Sequence, residues 1–337
     1  MPKQARRAPW PAVPNPDPPH AMTPAPTVRP DPRVRDWIRR ELGADPPRAP
    51  SLIVTVWGDA IAPHGGAAML PGLIALLAPF GINERLVRTS VFRLARDRWV
   101  AAAPVGRRSL YRLTPVGARS IEHAHRRIYA PPVAIWDEGW ELVLAAEATA
   151  RERRKLGLAL GWEGFGVLAP GVHGRPAHAA SVLPRLLASL DLADRVVVAR
   201  ARDDDTLGGR TLASVVPQAW DLAGVAAAYR RFLLRFGGVI QRFREPPERF
   251  PHPEQAFVVR TLLIHAFRRV LLRDPQLPAP LLPLDWPGAA AYALARDFYR
   301  LTVRASERHL AAVLADASGT LPPALPWFPE RFGGLPD

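Results

Sequence analysis

The sequence predicts an α+β chain in three parts behind an arm. Residues 49–130 form a winged helix-turn-helix, 131–215 a ferredoxin-like α/β module and 216–337 an all-helical domain; residues 1–48 are a disordered, proline-rich arm. Three observations carry this reading. Between residues 51 and 127 the pattern runs helix, helix, helix, strand, basic turn, strand, helix. From Trp136 short apolar runs alternate with helical periodicity. From Trp220 long amphipathic stretches follow one another, parted by proline-bearing loops.

Residues 1–32 hold eleven prolines and few large apolar groups, too little to bury against the entropy of ordering. Residues 33–42 carry a short helical pattern, but Pro46, Pro47 and Pro50 cut it off, and ordered structure is expected from Ser51. Ser51 caps a first helix over 52–61, which Pro63 and the glycines after it break. A second helix covers about 71–79. Gly81 can take the left-handed conformation that ends a helix, and Asn83 is a favoured cap for the next.

The third helix, 84–99, places Val87, Val91, Leu94 and Ala95 at the spacing of a buried stripe. Arg85, Arg88, Thr89, Arg93 and Arg96 take the remaining surface. Residues 99–104 and 110–113 read as two strands joined by a turn with Arg107 and Arg108 at its tip, a wing. Thr114-Pro115 then opens a fourth helix, a cap followed by proline at the first helical position. Further on, strands are expected at 140–146, 164–168 and 195–201, with helices at 149–160 and 181–190, a β-α-β…α-β order. Helices at 222–236, 254–273 and 288–317 complete the chain.

The 45 basic side chains exceed the 31 acidic ones, a net charge of +14, and its distribution is uneven. Residues 85–127 hold eleven arginines against Asp97 and Glu122. A basic stripe on a helix-turn-helix is the expected footprint of double-stranded DNA binding. Arg85, Arg88, Thr89 and Arg93 are therefore candidates for base edges and phosphates, and Arg107 and Arg108 for phosphate or minor groove. Tyr111 on the second wing strand is grouped with them. The plainer reading of the same charge is a solvated helix face.

Other classes are excluded or weakened. There are no cysteines, which removes disulfides, thiolate metal sites and a cysteine nucleophile together. No apolar run reaches the roughly 20 residues of a membrane span, and no signal-peptide pattern opens the chain, so a cytoplasmic protein is expected. Glu122-His123-Ala124-His125 fails as a metal site because alternate residues on a helix diverge.

The residues also resemble a known family, the PaaX repressors of phenylacetate catabolism. The resemblance is carried by Gly58-Asp59, Phe80-Gly81-Ile82, Val87-Arg88-Thr89, Phe92-Arg93-Leu94 and Gly106-Arg107-Arg108-Ser109. It continues through Arg127-Ile128-Tyr129, Trp136-Asp137, Gly164-Phe165-Gly166, the segment around His265 and Arg268-Arg269, and the terminal Arg331-Phe332-Gly333-Gly334-Leu335. It implies a middle module similar to Cas2, a dimerisation and effector region in the carboxy-terminal helices, operator binding as a homodimer, and release by phenylacetyl-coenzyme A. No cofactor is implied beyond that effector, and no enzyme activity. One departure stands out: the family commonly has glycine before the tryptophan that ends the recognition helix, and here Arg98 occupies that position.

Two effector candidates follow from the resemblance. His265, Arg268 and Arg269, within one helical turn, would hold coenzyme A phosphates; otherwise they are cations complementing a helix carboxy-terminus. Trp162 and Phe165, set among Gly161, Gly164 and Gly166, would line an aryl pocket, or else pack a core. The rival functions are a Cas2-like metal-dependent nuclease and an architectural DNA binder without effector. The nuclease needs a carboxylate, typically Asp, at the end of the first strand of the middle module, where the sequence reads Glu147-Ala148-Thr149.

Overall fold

The computed structural model describes residues 28–130, 136–177, 181–204, 209–244, 251–318 and 320–336. The first element, α1 (Pro32–Ala44), is capped by Asp31, whose carboxylate accepts from Arg33 N at 2.7 Å, with proline in its first turn. This corrects the disordered arm of residues 1–48. Residues 28–48 lie on the body of the protein, with Val34 buried and Trp37 against Phe236 at 5.6 Å; residues 1–27 lie outside the described residues. Local composition could not reveal a distant apolar surface waiting for Trp37.

The winged helix follows. It comprises α2 (Ala49–Val56), β1 (Ala67–Met69), α3 (Leu70–Leu77), α4 (Glu84–Arg96), β2 (Val100–Val105), β3 (Arg108–Leu113) and α5 (Pro115–Tyr129). Its antiparallel sheet has the order β1-β3-β2. The first helix starts earlier than expected, with Arg48 before it and Pro50 in its first turn, so Ser51 is not its cap. It runs on into a wider π turn, Trp57–Ile61. Strand β1 was not foreseen, since three small residues carry no strand signal. The other signals hold: Gly81 is left-handed at φ +75°, Asn83 accepts from Leu86 N at 2.9 Å, and Thr114 Oγ1 accepts from Gly117 N at 3.1 Å.

Arg98 is left-handed at φ 60°. The chain leaves α4 through this residue and returns over it, because Thr114 Oγ1 donates to the Arg98 carbonyl. A side chain at Gly117 would place its Cβ 2.1 Å from the Trp99 carbonyl oxygen. The corner between recognition helix and wing thus needs no bulk at 117 and tolerates strain at 98.

The middle module contains β4 (Trp140–Leu144), α6 (Ala150–Trp162), β5 (Gly166–Ala169), β6 (Val172–Pro176), α7 (Leu183–Leu190) and β7 (Val197–Ala201). Its antiparallel sheet, β5-β6-β4-β7, is ferredoxin-like. Strand β6 is an addition to the expected order. Its sequence lacks an apolar run, and Gly171, at φ +76°, turns the hairpin that leads into it. Val143, Leu156, Leu160, Phe165 and Leu187 give the module a small core of its own.

The remaining helices are α8 (Val216–Ala219), α9 (Leu222–Arg244), α10 (Pro253–Leu271) and α11 (Gly288–Ser318). Helix α10 is buried on nearly all sides. Leu52, Leu73, Val87 and Val91 of the winged helix share one continuous core with Phe236, Phe257, Leu263 and Phe298 of these helices. The winged helix is therefore anchored to the helical region by a shared hydrophobic core.

Candidate nucleic-acid interface

Helix α4 buries Val87, Ser90 and Val91 and exposes Arg85, Arg88, Thr89, Arg93 and Arg96. The sequence-predicted face is thus outward. Three of its members are engaged in the free protein, Arg96 with the adjoining Asp97 at 3.3 Å. Arg88 pairs with Glu84, one turn earlier, at 2.6 Å, and Thr89 Oγ1 donates to the Arg85 carbonyl at 2.9 Å. Arg107 and Arg108 lie at the turn between β2 and β3, both exposed. Tyr111 is half-buried in the middle of β3, the central strand, and packs against the core. It supports the wing from behind.

Behind this face lies a cavity of about 920 Å³. Its walls come from all three parts of the chain: Ser51 and Thr55 of α2, His123 of α5, Trp162 of the middle module, and Ile264 and Arg268 of α10. Two of the five effector candidates, Trp162 and Arg268, therefore meet in one place, and Trp162 stays 58% exposed there.

The others do not join them. Phe165 is buried in the middle-module core under the Arg175 guanidinium, 4.7 Å from its ring. The neighbouring glycines serve close approach: a Cβ at Gly166 would lie 2.6 Å from the Trp220 ring, and at Gly164 2.9 Å from the Pro275 carbonyl. Arg269 turns away toward Asp45, 4.0 Å distant, because adjacent helical residues diverge by about 100°. His265 is buried against Thr55 Oγ1 at 2.8 Å, and burial together with Arg268 and Arg269 pushes its pKa down to about 3. A neutral imidazole cannot supply charge to a phosphate, so the expected three-cation cluster reduces to Arg268.

Arg268 itself ties α10 to α2. Its Nε donates to Thr55 Oγ1 at 2.8 Å and its Nη2 to the Ser51 carbonyl at 2.9 Å and Ser51 Oγ at 2.8 Å. Burial lowers the pKa of this guanidinium, whose bonds to α2 go to a carbonyl and two hydroxyls.

Sequence reasoning missed a second buried system. Asp59, in the π turn, accepts from Tyr129 OH at 2.6 Å, Tyr299 OH at 3.0 Å and Arg331 Nη1 at 3.2 Å. Its other oxygen faces Arg260 Nε at 3.3 Å. Arg260 also donates to Glu307 at 3.1 Å, and His64 Nε2 lies 2.8 Å from the same carboxylate. Burial raises the Glu307 pKa, but His64 and Arg260 outweigh it and hold the carboxyl below its usual range. Two carboxylates thus face two guanidiniums, with Asp59, Arg260 and Arg331 fully buried and Glu307 at the edge. The signal was in the sequence: Gly58-Asp59, Tyr129 and the terminal Arg331 segment were among the stretches carrying the resemblance, and here they touch.

In the middle module, Glu141 on β4 is buried and paired with Arg175 at 2.8 Å. Among the described residues no cluster of His, Asp and Glu suited to a metal ion is found. His123 and His125 both line the cavity above, and His125 also meets the Trp327 ring edge-on, with 4.5 Å between ring centres.

Fold and exposed face together define a winged helix-turn-helix protein of the DNA-binding type, fused to a Cas2-like module and a helical carboxy-terminal region. Family models agree along the chain: PaaX-like protein over residues 48–117, PaaX protein central Cas2-like domain over 133–215, and PaaX-like protein C-terminal domain over 220–312. The chain is 33% identical to Transcriptional repressor PaaX of Escherichia coli (strain K12) over 303 residues, 90% of this chain and 96% of that protein. The chain belongs to the PaaX family. Among solved structures it resembles Uncharacterized protein Rv0674 from Mycobacterium tuberculosis, with a TM-score of 0.51 and 26% identity, covering 78% of this chain and 98% of that one. Among the described residues no helix is long and apolar enough to cross a membrane.

Proposed function

We propose that this protein is a transcriptional repressor that binds operator DNA as a homodimer and is released by an aryl-acyl-coenzyme A, phenylacetyl-coenzyme A first among them. The observation that supports this most is the outward arginine face of α4 beside a basic wing, in a chain so similar to a transcriptional repressor. Arg85, Arg88 and Arg93 read base edges and phosphates in the major groove, and Arg107 and Arg108 hold the backbone or minor groove. A two-fold dimer would set two such helices on an inverted repeat.

The cavity between α2, α5, α10 and Trp162 is the effector site in this reading. Trp162 offers an exposed indole for an aryl or adenine ring, and Arg268 a cation for phosphate. A ligand that draws Arg268 away from Ser51 and Thr55 loosens the tie between α10 and α2, and it releases DNA to the extent that it binds the free protein more tightly than the DNA-bound one. Only such differential affinity can release DNA.

Mobility shifts on the protein's own upstream region, with phenylacetyl-coenzyme A, coenzyme A and phenylacetate, test the proposal. Release by the thioester alone is expected. Equal release by phenylacetate removes the phosphate role of Arg268, and an absence of specific DNA binding removes the repressor reading.

A further inference from the structure

Phe92 is the most exposed aromatic side chain on the recognition helix, 70% accessible. Val91, beside it in sequence, is wholly buried, so the helix has a well-defined core face and Phe92 lies off it. Its position is not peripheral. Arg85, Thr89, Phe92 and Arg96 follow one another at steps of four, three and four residues, which lines them up as one stripe along the outer face. Phe92 thus stands at the centre of the cationic surface. An isolated exposed apolar residue needs no explanation elsewhere on a protein; here it sits where DNA is to be read.

Thr89, one turn before it, gives its hydroxyl proton to the Arg85 carbonyl at 2.9 Å. That leaves the stripe a Thr methyl beside the Phe ring, an apolar spot bounded by the guanidiniums of Arg85, Arg93 and Arg96. In the major groove one base presents a complementary group. Thymine carries a C5-methyl, and apolar side chains contact it. The flanking arginines meet phosphate or guanine and hold the ring at groove depth.

We infer that Phe92 is a specificity-determining residue that recognises the C5-methyl of a thymine in each operator half-site. The inference rests on the DNA-reading role proposed above. Binding is measured for the full chain on its footprinted upstream duplex, with each footprinted thymine replaced in turn by deoxyuridine. That exchange removes the methyl and leaves every hydrogen-bonding group. Covering one methyl is expected to change affinity about fourfold.

One thymine in each half-site should therefore show this loss with the wild-type chain and none with Phe92→Ala. Phe92→Leu should keep part of the dependence. Neither variant removes a packed side chain. If uracil substitution has no effect at any position, or weakens both proteins equally, Phe92 does not read a methyl and the inference is overturned. If the wild-type chain selects no sequence at all, the repressor reading fails with it; selective binding without coupling sinks this inference alone.

Discussion

Arg331 and Asp59 are 272 residues apart in the chain and bonded in the fold, with Arg331 Nη1 donating to the Asp59 carbonyl at 2.8 Å and to its carboxylate at 3.2 Å. The Arg331 guanidinium also lies 4.1 Å from the Tyr129 ring centre. Asp59 and Tyr129 belong to the winged helix, Arg260 and Arg331 to the carboxy-terminal region. Besides the shared core, a buried electrostatic knot joins the two.

Removing one partner of a buried pair leaves the other charge uncompensated, which costs about 3–5 kcal/mol. Asp59→Ala takes the carboxylate from Arg331 and leaves Arg260 to Glu307, in a site less than 2% exposed at both arginines. Urea unfolding should show a loss of that order. A loss under 1 kcal/mol would mean that the arginines find water or other partners.

Arg98 predicts a gain. A non-glycine residue in the left-handed region is strained by about 1–2 kcal/mol, partly offset by the greater unfolded-state entropy of glycine. Arg98→Gly should therefore raise stability by about 0.5–1 kcal/mol, seen as a higher urea midpoint at unchanged slope. A lower midpoint would show that the Arg98 side chain contributes more than its backbone strain removes.

Glu84 holds Arg88 in the free protein through an exposed pair and adds negative charge to the face proposed to read DNA. Exposed pairs are worth about 0.2–1 kcal/mol, so Glu84→Gln should raise operator affinity by up to about fivefold. Titrations at two salt concentrations check this. Weaker binding would mean that the carboxylate positions Arg88 for its contact.

Arg107 at the wing tip is expected to meet phosphate. Arg107→Ala should weaken binding on all sequences and reduce the slope of log affinity against log salt by about 1. An unchanged slope would place the wing away from the DNA.

His265 makes stability pH-dependent. Its pKa falls from 6.5 to about 3 on folding, through burial first and then Arg268 and Arg269. Above pH 6.5 both states are neutral and the residue contributes nothing. Below it the unfolded state takes up a proton that the folded state refuses, so stability falls by about 1.4 kcal/mol per pH unit. Unfolding at pH 7 and pH 5 should differ by about 2 kcal/mol from this residue, and His265→Gln should flatten the difference. An equal slope in both proteins would assign it to other groups.

The sequence by itself determined what depends on neighbours along the chain. Asn83, Thr114-Pro115 and Gly81 fix helix ends through their own side chains and backbone freedom, so the recognition helix, the wing and the outward arginines were legible. Even the strain at Arg98 was visible, as an arginine where glycine is usual. Tertiary structure decided what depends on distant surfaces. Trp37 finds Phe236 and makes a helix of an arm too poor in apolar residues to fold alone. Strand β6 exists because β4 and β5 offer it edges, not because Val172–Pro176 has strand character. Arg268 and Arg269 are neighbours in sequence, yet only Arg268 faces the cavity, since a helix turns about 100° per residue. The Asp59 knot was the least legible, because buried charges are tolerable only when their partners arrive from elsewhere in the chain.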